Sequence, residues 1–182
     1  TLPTPIPLTE PACADAADVS SGSTDGKATA QGLEVVRLVE ELIAALSVTP
    51  ASTLKQGALG VRVHNRLAEE LHVDEETVAR VTSLAFAAGL ISRGVPDPLP
   101  ADDDGGDYVA PTAAADAFLA QTLAERWQTI VSAWLDSPYA SWKVGEDDSK
   151  GKPIHLLSPE TKVGIIPTVK AELVSIIGQS WR

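Results

Sequence analysis

The chain carries no methionine in its 182 residues, not even at position 1, and a single cysteine, Cys13. The first absence leads us to expect an internal or truncated piece of a longer protein, with activity resident in the remainder. The second excludes an internal disulfide and fits a reducing cytosol, so a cytoplasmic setting is the expected one. No run approaches the ~18 consecutive apolar residues that would span a membrane. The N-terminal residues lack the basic-then-apolar order of a signal peptide. Cations are also scarce: 14 Lys and Arg stand against 25 Asp and Glu, a net charge of −11. Residues 1–53 hold 2 basic and 7 acidic side chains, residues 54–112 hold 5 and 10, and residues 113–182 hold 7 and 8. Such a balance repels a phosphate backbone everywhere except in the nearly neutral last third.

Catalytic and cofactor signatures are missing as well. Between Gly145 and Gly151 lie five residues where a phosphate loop needs four, and Pro153 stands where Ser or Thr must hold magnesium. The acidic run Asp102, Asp103, Asp104, Gly105, Gly106, Asp107 fails as a calcium loop, because Pro100 and Pro111 fall at the terminal ligand positions. His64, His72 and His155 are far apart and belong to no HExxH or cysteine pair, so no metal ligands are expected. No nucleophile elbow, Walker A or DEAD-type stretch occurs, and Cys13 sits in a Pro/Ala-rich segment as an incidental thiol. The expectation is a protein without catalytic residues and without a cofactor.

What is present is helical periodicity, in a chain whose 44% apolar content suffices for a core in one domain or two small ones. Residues 1–31, with Pro3, Pro5, Pro7 and Pro11 among Ala, Ser, Thr and Gly, read as an extended arm or linker that Leu2, Ile6 and Leu8 can anchor. Val35, Leu38, Val39, Leu42, Ile43 and Leu46 form the stripe of a helix that the Thr49-Pro50 step ends. Residues 54–59 are expected to form a short strand. Val63, Leu67, Ala68 and Leu71 line a second helix. After His72 and Val73, Asp74 stands at the N-cap of a third, with Glu75 and Glu76 in its first turn. Val78, Val81, Leu84, Ala85 and Ala88 give that helix its apolar face, and Gly89 with Leu90 gives it a left-handed end. A strand over 90–93, a Pro/Asp/Gly loop and a return strand over 108–110 complete a helix-turn-helix followed by a hairpin. The predicted fold is α+β, mainly α: a winged helix-turn-helix over 32–111 and a smaller helical unit over 112–182 packed on it.

In that unit Thr112 can cap an Ala-rich helix reaching Phe118, and Thr122 with Glu125 matches a capping box. Trp127, Ile130, Val131 and Trp134 share one helical face, which predicts two buried tryptophans. Residues 139–153 read as a surface loop or hairpin, and Ser158-Pro159-Glu160 as a helical turn. Pro167 can open a last helix with Val169, Leu173, Ile176 and Ile177 on one face and Gly178 at its end.

A base-reading helix would present Asp74, Glu75, Glu76 and Thr77 to the major groove, with Arg80 its only cation. The wing would add Asp97, Asp102, Asp103, Asp104 and Asp107. Duplex recognition by this unit alone is therefore unfavourable. Tyr139, Trp142, Lys143, Lys150, Lys152, Lys162 and Lys170 are the better nucleic-acid residues, pairing cations with aromatics, although Glu146, Asp147 and Asp148 interrupt them. A nucleic-acid surface requires folding to bring Lys143, Lys150, Lys152 and Lys162 near Arg62, Arg66 or Arg80. The alternative is an acidic protein-interaction scaffold with no nucleic-acid binding of its own.

The block LKQGALGVRVHNRLAEELHVDEETVARVTSLAFAAGLI resembles a recurrent block of actinobacterial helicase-associated proteins, a region similar to the N-terminal domain of XPB-type helicases. Residues 111–117, 124–127, 133–138, 151–153 and 157–160 also resemble that family, so the likeness covers most of residues 32–175. The resemblance implies a DNA-related context, with a helicase or the rest of the parent chain as protein partner. It brings no catalytic residue.

Overall fold

The computed structural model of the chain describes residues 21–101, 103 and 105–180. In order, the elements are helix α1 (Ser21–Val48), strand β1 (Ala51–Ser52), helices α2 (Val61–Leu71) and α3 (Glu75–Ala87), strands β2 (Ile91–Gly94) and β3 (Tyr108–Pro111), and helices α4 (Ala113–Leu119), α5 (Leu123–Asp136) and α6 (Ile166–Ser180). Single 3-10 turns lie at Ser141–Lys143 and Pro159–Thr161. The molecule is α+β and mainly helical. Its small antiparallel sheet places β3 between β1 and β2, with Ala51 opposite Val109 and Ile91 opposite Pro111. No helix among the described residues is long and apolar enough to cross a membrane.

The apolar stripe of α1 forms the middle of the core: Val36, Leu38, Val39, Leu42, Ile43 and Leu46 are all buried. Burying a side chain of that size contributes about 1.5–3 kcal/mol, so the six together make this stripe a major source of hydrophobic stabilisation. Around it pack Leu67 and Leu71 of α2, Val78, Val81 and Ala85 of α3, and Val109 of β3. The same cluster continues into Phe118, Ile130, Leu156 and Leu157. Between α2 and α3 the chain turns in three residues. His72 takes a left-handed conformation (φ 55°), and the Val73 N–H donates to Ala68 O. Asp74 then caps α3, accepting from Thr77 N–H at 2.6 Å. At the other end Gly89 (φ 69°) turns the chain so that Leu90 N–H reaches Ala85 O and the Leu90 side chain is buried.

Four local expectations are corrected. Helix α1 begins at Ser21, so residues 21–31 are helical rather than an extended arm; residues 1–20 lie outside the described residues. Tertiary contact overrides the missing periodicity, because the Trp127 indole lies over Gly32, 3.5 Å from where a Cβ would stand. Second, the strand before α2 is Ala51–Ser52, not 54–59. Residues 54–58 instead close a tight turn through Leu54 N–H to Ala58 O at 2.8 Å. Gly57 (φ 74°) is required in that turn, since a Cβ there would meet Arg93 Nε at 2.6 Å.

Third, Trp127 and Trp134 are 42% and 40% exposed, and the residue of their face that enters the core is Ile130. The two indoles cover neighbouring segments rather than filling the interior. Fourth, α6 runs past Gly178, which keeps an ordinary φ and so cannot act as a left-handed terminator. The apolar residues expected on one face of this helix, Val169, Leu173, Ile176 and Ile177, are exposed.

Candidate functional site

Helix α3 is the element on which base reading would depend, and it is covered. It packs against α1, α2, α5 and the Ser141–Lys143 turn. Of its thirteen residues only Glu75, Glu76 and Arg80 are exposed. Arg80 is held on its own helix, donating to Thr77 Oγ1 at 3.1 Å and lying 3.9 Å from Glu76. Asp74, which accepts backbone and side-chain bonds from Thr77, titrates below the usual carboxylate range and stays ionised. At the far end Phe86 meets Tyr139 edge to face, with ring centroids 5.8 Å apart. The face that α3 leaves exposed thus carries two carboxylates and one guanidinium.

The basic and aromatic residues of the C-terminal third do not form one surface. Lys170 turns inward, donating to Trp134 O at 2.6 Å and Ser137 O at 2.9 Å beside the Trp134 ring. Burial lowers its pKa. Lys143 donates to Glu160 O at 3.0 Å, and Lys162 is an exposed residue whose backbone bridges to Tyr139. Trp142, 60% exposed, lines a groove of about 520 Å³ together with His64, Glu75, Glu76 and His155. His64 is itself buried, and its Nε2–H donates to Glu75 O at 2.8 Å.

Lys150 and Lys152 are brought together, in an adjoining cleft of about 440 Å³. Its other basic residues are Lys55 and His155, not the arginines that the sequence pattern offered. Arg62 is an exposed residue of α2. Arg66 lines a different cleft of about 770 Å³, beside Pro96, Pro98 and Tyr108, and donates to Thr49 O and Glu70. The expected meeting of Arg62, Arg66 or Arg80 with the lysines therefore does not occur in that cleft, because α2 and α3 direct these arginines elsewhere.

Three contributors to this region were not singled out in the sequence. Lys55 sits in the turn that replaces the expected strand. Arg93 on β2 donates to Gly57 O at 2.6 Å and Leu157 O at 2.7 Å, with its guanidinium 4.9 Å from the Phe86 ring centre. It thereby ties the 54–58 turn, the 154–158 segment and α3 together. Ser158 lies in the wall of the lysine cleft, buried. None carries a local signal, since each depends on segments far apart in the chain. Among the described residues no group of three or more His, Cys, Asp or Glu is placed to hold a metal ion.

Comparison with protein-family models, with curated proteins and with solved structures finds no match to this chain.

Proposed function

We propose that the chain is a non-enzymatic winged-helix module of a helicase-associated, DNA-related protein, and that it acts through protein contact. The element order α1–β1–α2–α3–β2–β3, with β3 central in the sheet and a three-residue turn between α2 and α3, supports the winged-helix reading. The helicase association rests on the sequence resemblance over residues 32–175. The observation that carries protein contact over base readout is the covering of α3, whose exposed side chains are two glutamates and an arginine held by Thr77 and one of them. Exposed Ile165, Val169, Leu173, Val174 and Ile177 on and beside α6 add an apolar surface of the kind used in protein contacts. A helicase, or the remainder of the parent chain, is the partner this reading names.

The test is fluorescence anisotropy with labelled duplex and single-stranded DNA at about 50 and 200 mM salt, the range over which phosphate-driven binding changes steeply. No saturable binding to either is the expected result. Duplex binding that disappears in Arg80→Ala would overturn it and restore base readout by α3. Single-strand binding that disappears in Trp142→Ala and Lys152→Ala would favour the second reading, a nucleic-acid contact through the C-terminal basic and aromatic residues. That reading draws on the convergence of Lys150 and Lys152 with Lys55.

A further inference from the structure

The groove of about 520 Å³ is walled by the start of α3, the Ser141–Lys143 turn and residues 153–156. Three hydrogen bonds fix those walls. His64 Nε2–H donates to Glu75 O at 2.8 Å, Leu59 N–H to Leu156 O at 2.8 Å, and Gly145 N–H to Ile154 O at 2.9 Å. The lining is apolar where it is buried, at Leu59, Ala79, Ile154 and Leu156. Trp142, Glu75 and Glu76 are among its exposed members. Its volume lies in the range of roughly 300–1,000 Å³ that is usual for ligand sites.

The charge of this groove is of one sign. Among the described residues no lysine or arginine lines it. Lys143, next to Trp142 in the chain, donates to Glu160 O instead. Glu75 belongs to no ion pair among the described residues, and the cation nearest Glu76 is Arg80 of its own helix, 3.9 Å away. The dipole of α3 accounts for carboxylates in its first turn. It does not account for an exposed indole in the same groove.

That indole is set apart from the other rings. Phe86 carries the Arg93 guanidinium 4.9 Å from its centre, Phe118 carries Arg126 at 6.0 Å, and Trp134 carries the Lys170 ammonium at 4.9 Å. Trp142 has no such cation among the described residues, and it is the most exposed of the three described tryptophans. Indole is the aromatic ring that attracts a cation most strongly.

We propose that this groove receives an arginine side chain from a basic segment of a partner protein, an inference that rests on protein contact as the mode of action. The guanidinium stacks on Trp142 and donates to the carboxylates of Glu75 and Glu76, while its methylene stem covers the apolar lining. Arginine suits the site better than lysine, because a planar guanidinium can stack and donate from its edge at once. Other occupants fit less well. No group of three or more His, Cys, Asp or Glu among the described residues is placed to hold a metal ion. A nucleic-acid strand stacked on Trp142 would bring phosphates toward two carboxylates. A second copy would set one net charge of −11 against another, and residues 1–20 hold no Lys or Arg with which to fill the groove.

The test uses the whole chain, labelled with nitrogen-15, and a short amidated peptide of alternating leucine and arginine. A twin peptide carries citrulline, neutral and nearly the same shape, in place of arginine. Affinity is read by anisotropy of the labelled peptides, and the site by the indole N–H resonance of Trp142. At about 50 mM salt, where exposed charges are weakly screened, the arginine peptide should bind saturably and shift that resonance. The twin should bind roughly tenfold more weakly, a decade in Kd. Glu75→Gln with Glu76→Gln should weaken the arginine peptide by a similar factor. So should Trp142→Ala, which alters an exposed ring and leaves the first turn of α3 intact. Glu69→Gln with Glu70→Gln removes two charges from exposed positions of α2 outside the groove, and should leave affinity nearly unchanged. Equal binding of the citrulline twin overturns the proposal, and so does equal weakening by the α2 pair, which would mean a general attraction to an acidic chain. A silent peptide together with silent DNA overturns the groove alone and leaves protein contact through α6 standing. Oligothymidylate that shifts the Trp142 resonance while the peptide does not would overturn both this proposal and the protein-contact reading.

Discussion

At the scale of single residues, much of the chain's regularity depends on a few polar side chains that satisfy helix ends. Asp74 is the clearest, because its lowered pKa makes the cap pH-dependent. Folding lowers the pKa, so the contribution is fully present above the ordinary value of 3.8 and is lost as pH falls through the lowered folded value. Glu125 of the α5 capping box and Asp148 are shifted the same way by hydrogen bonds to their carboxylates. Thermal melts followed by circular dichroism should therefore show the melting temperature falling as pH drops below the carboxylate range. Asp74→Asn keeps an acceptor for Thr77 N–H but cannot titrate, and should make that fall shallower. An identical pH profile for the variant would mean that Asp74 is not a source of the acid sensitivity.

Lys170 makes a different residue-scale case. Its ammonium caps carbonyls at the C-terminal end of α5, where the helix dipole favours a cation, while burial disfavours the charge. Lys170→Met keeps the apolar stem against Trp134 and removes both donors. Leaving buried carbonyls unpaired costs about 1–3 kcal/mol, which urea denaturation should report as a lower midpoint at unchanged slope. A variant as stable as the parent would mean that relief of the buried charge offsets the lost bonds.

Among the elements, α1 has two halves of different character. Residues 36–46 are fixed by the core, whereas among residues 21–32 the tertiary contact shown is the Trp127 indole over Gly32. Trp127→Ala should leave amides of residues 36–46 protected from hydrogen exchange and sharply increase exchange over 24–32. Equal protection in both halves would show that the N-terminal turns hold without the indole. Such dependence explains why this half of α1 was illegible in the sequence: its composition is that of a linker, and its partner lies about a hundred residues away. The caps at Asp74, Thr112 and Thr122 were legible because donor and acceptor lie within three residues of each other. The lysine cleft was half legible. Lys150 and Lys152 stand out as cations, but Lys55, Arg93 and Ser158 join them only through the meeting of residues 54–58 with 154–158. Helix α6 was legible as a helix, but an apolar face at helical spacing does not say whether the covering surface belongs to the same segment of chain. If that face serves a protein partner, Leu173→Gln with Ile177→Gln should leave the melting temperature within a degree or two and abolish capture of the remainder of the parent chain supplied in trans. Equal capture by the variant would sink the assignment of that face.

For the whole molecule, the question is whether residues 21–111 and 112–180 are separate bodies or one. Phe118, Ile130, Leu156 and Leu157 belong to the same cluster of buried side chains as Leu42, Leu67 and Val78. Arg93 and the Phe86–Tyr139 contact add polar and aromatic ties between the two halves. Arg126 of α5 forms an ion pair with Glu40 of α1. Removing the C-terminal half would expose α3 on the side now covered by α5 and the Ser141–Lys143 turn. The two halves should therefore lose their structure together. The four tryptophans, at 127, 134, 142 and 181, all lie in the second half, while the longest helix, α1 of 28 residues, lies in the first. Tryptophan fluorescence thus reports on the second half alone, whereas far-ultraviolet circular dichroism reports on the helices of both halves. In a urea titration the two signals should give one midpoint and one slope, as a cooperative unit requires. A fluorescence transition at distinctly lower urea would show that the C-terminal half detaches first and uncovers α3. The base-reading face would then be latent in the fold rather than absent from it.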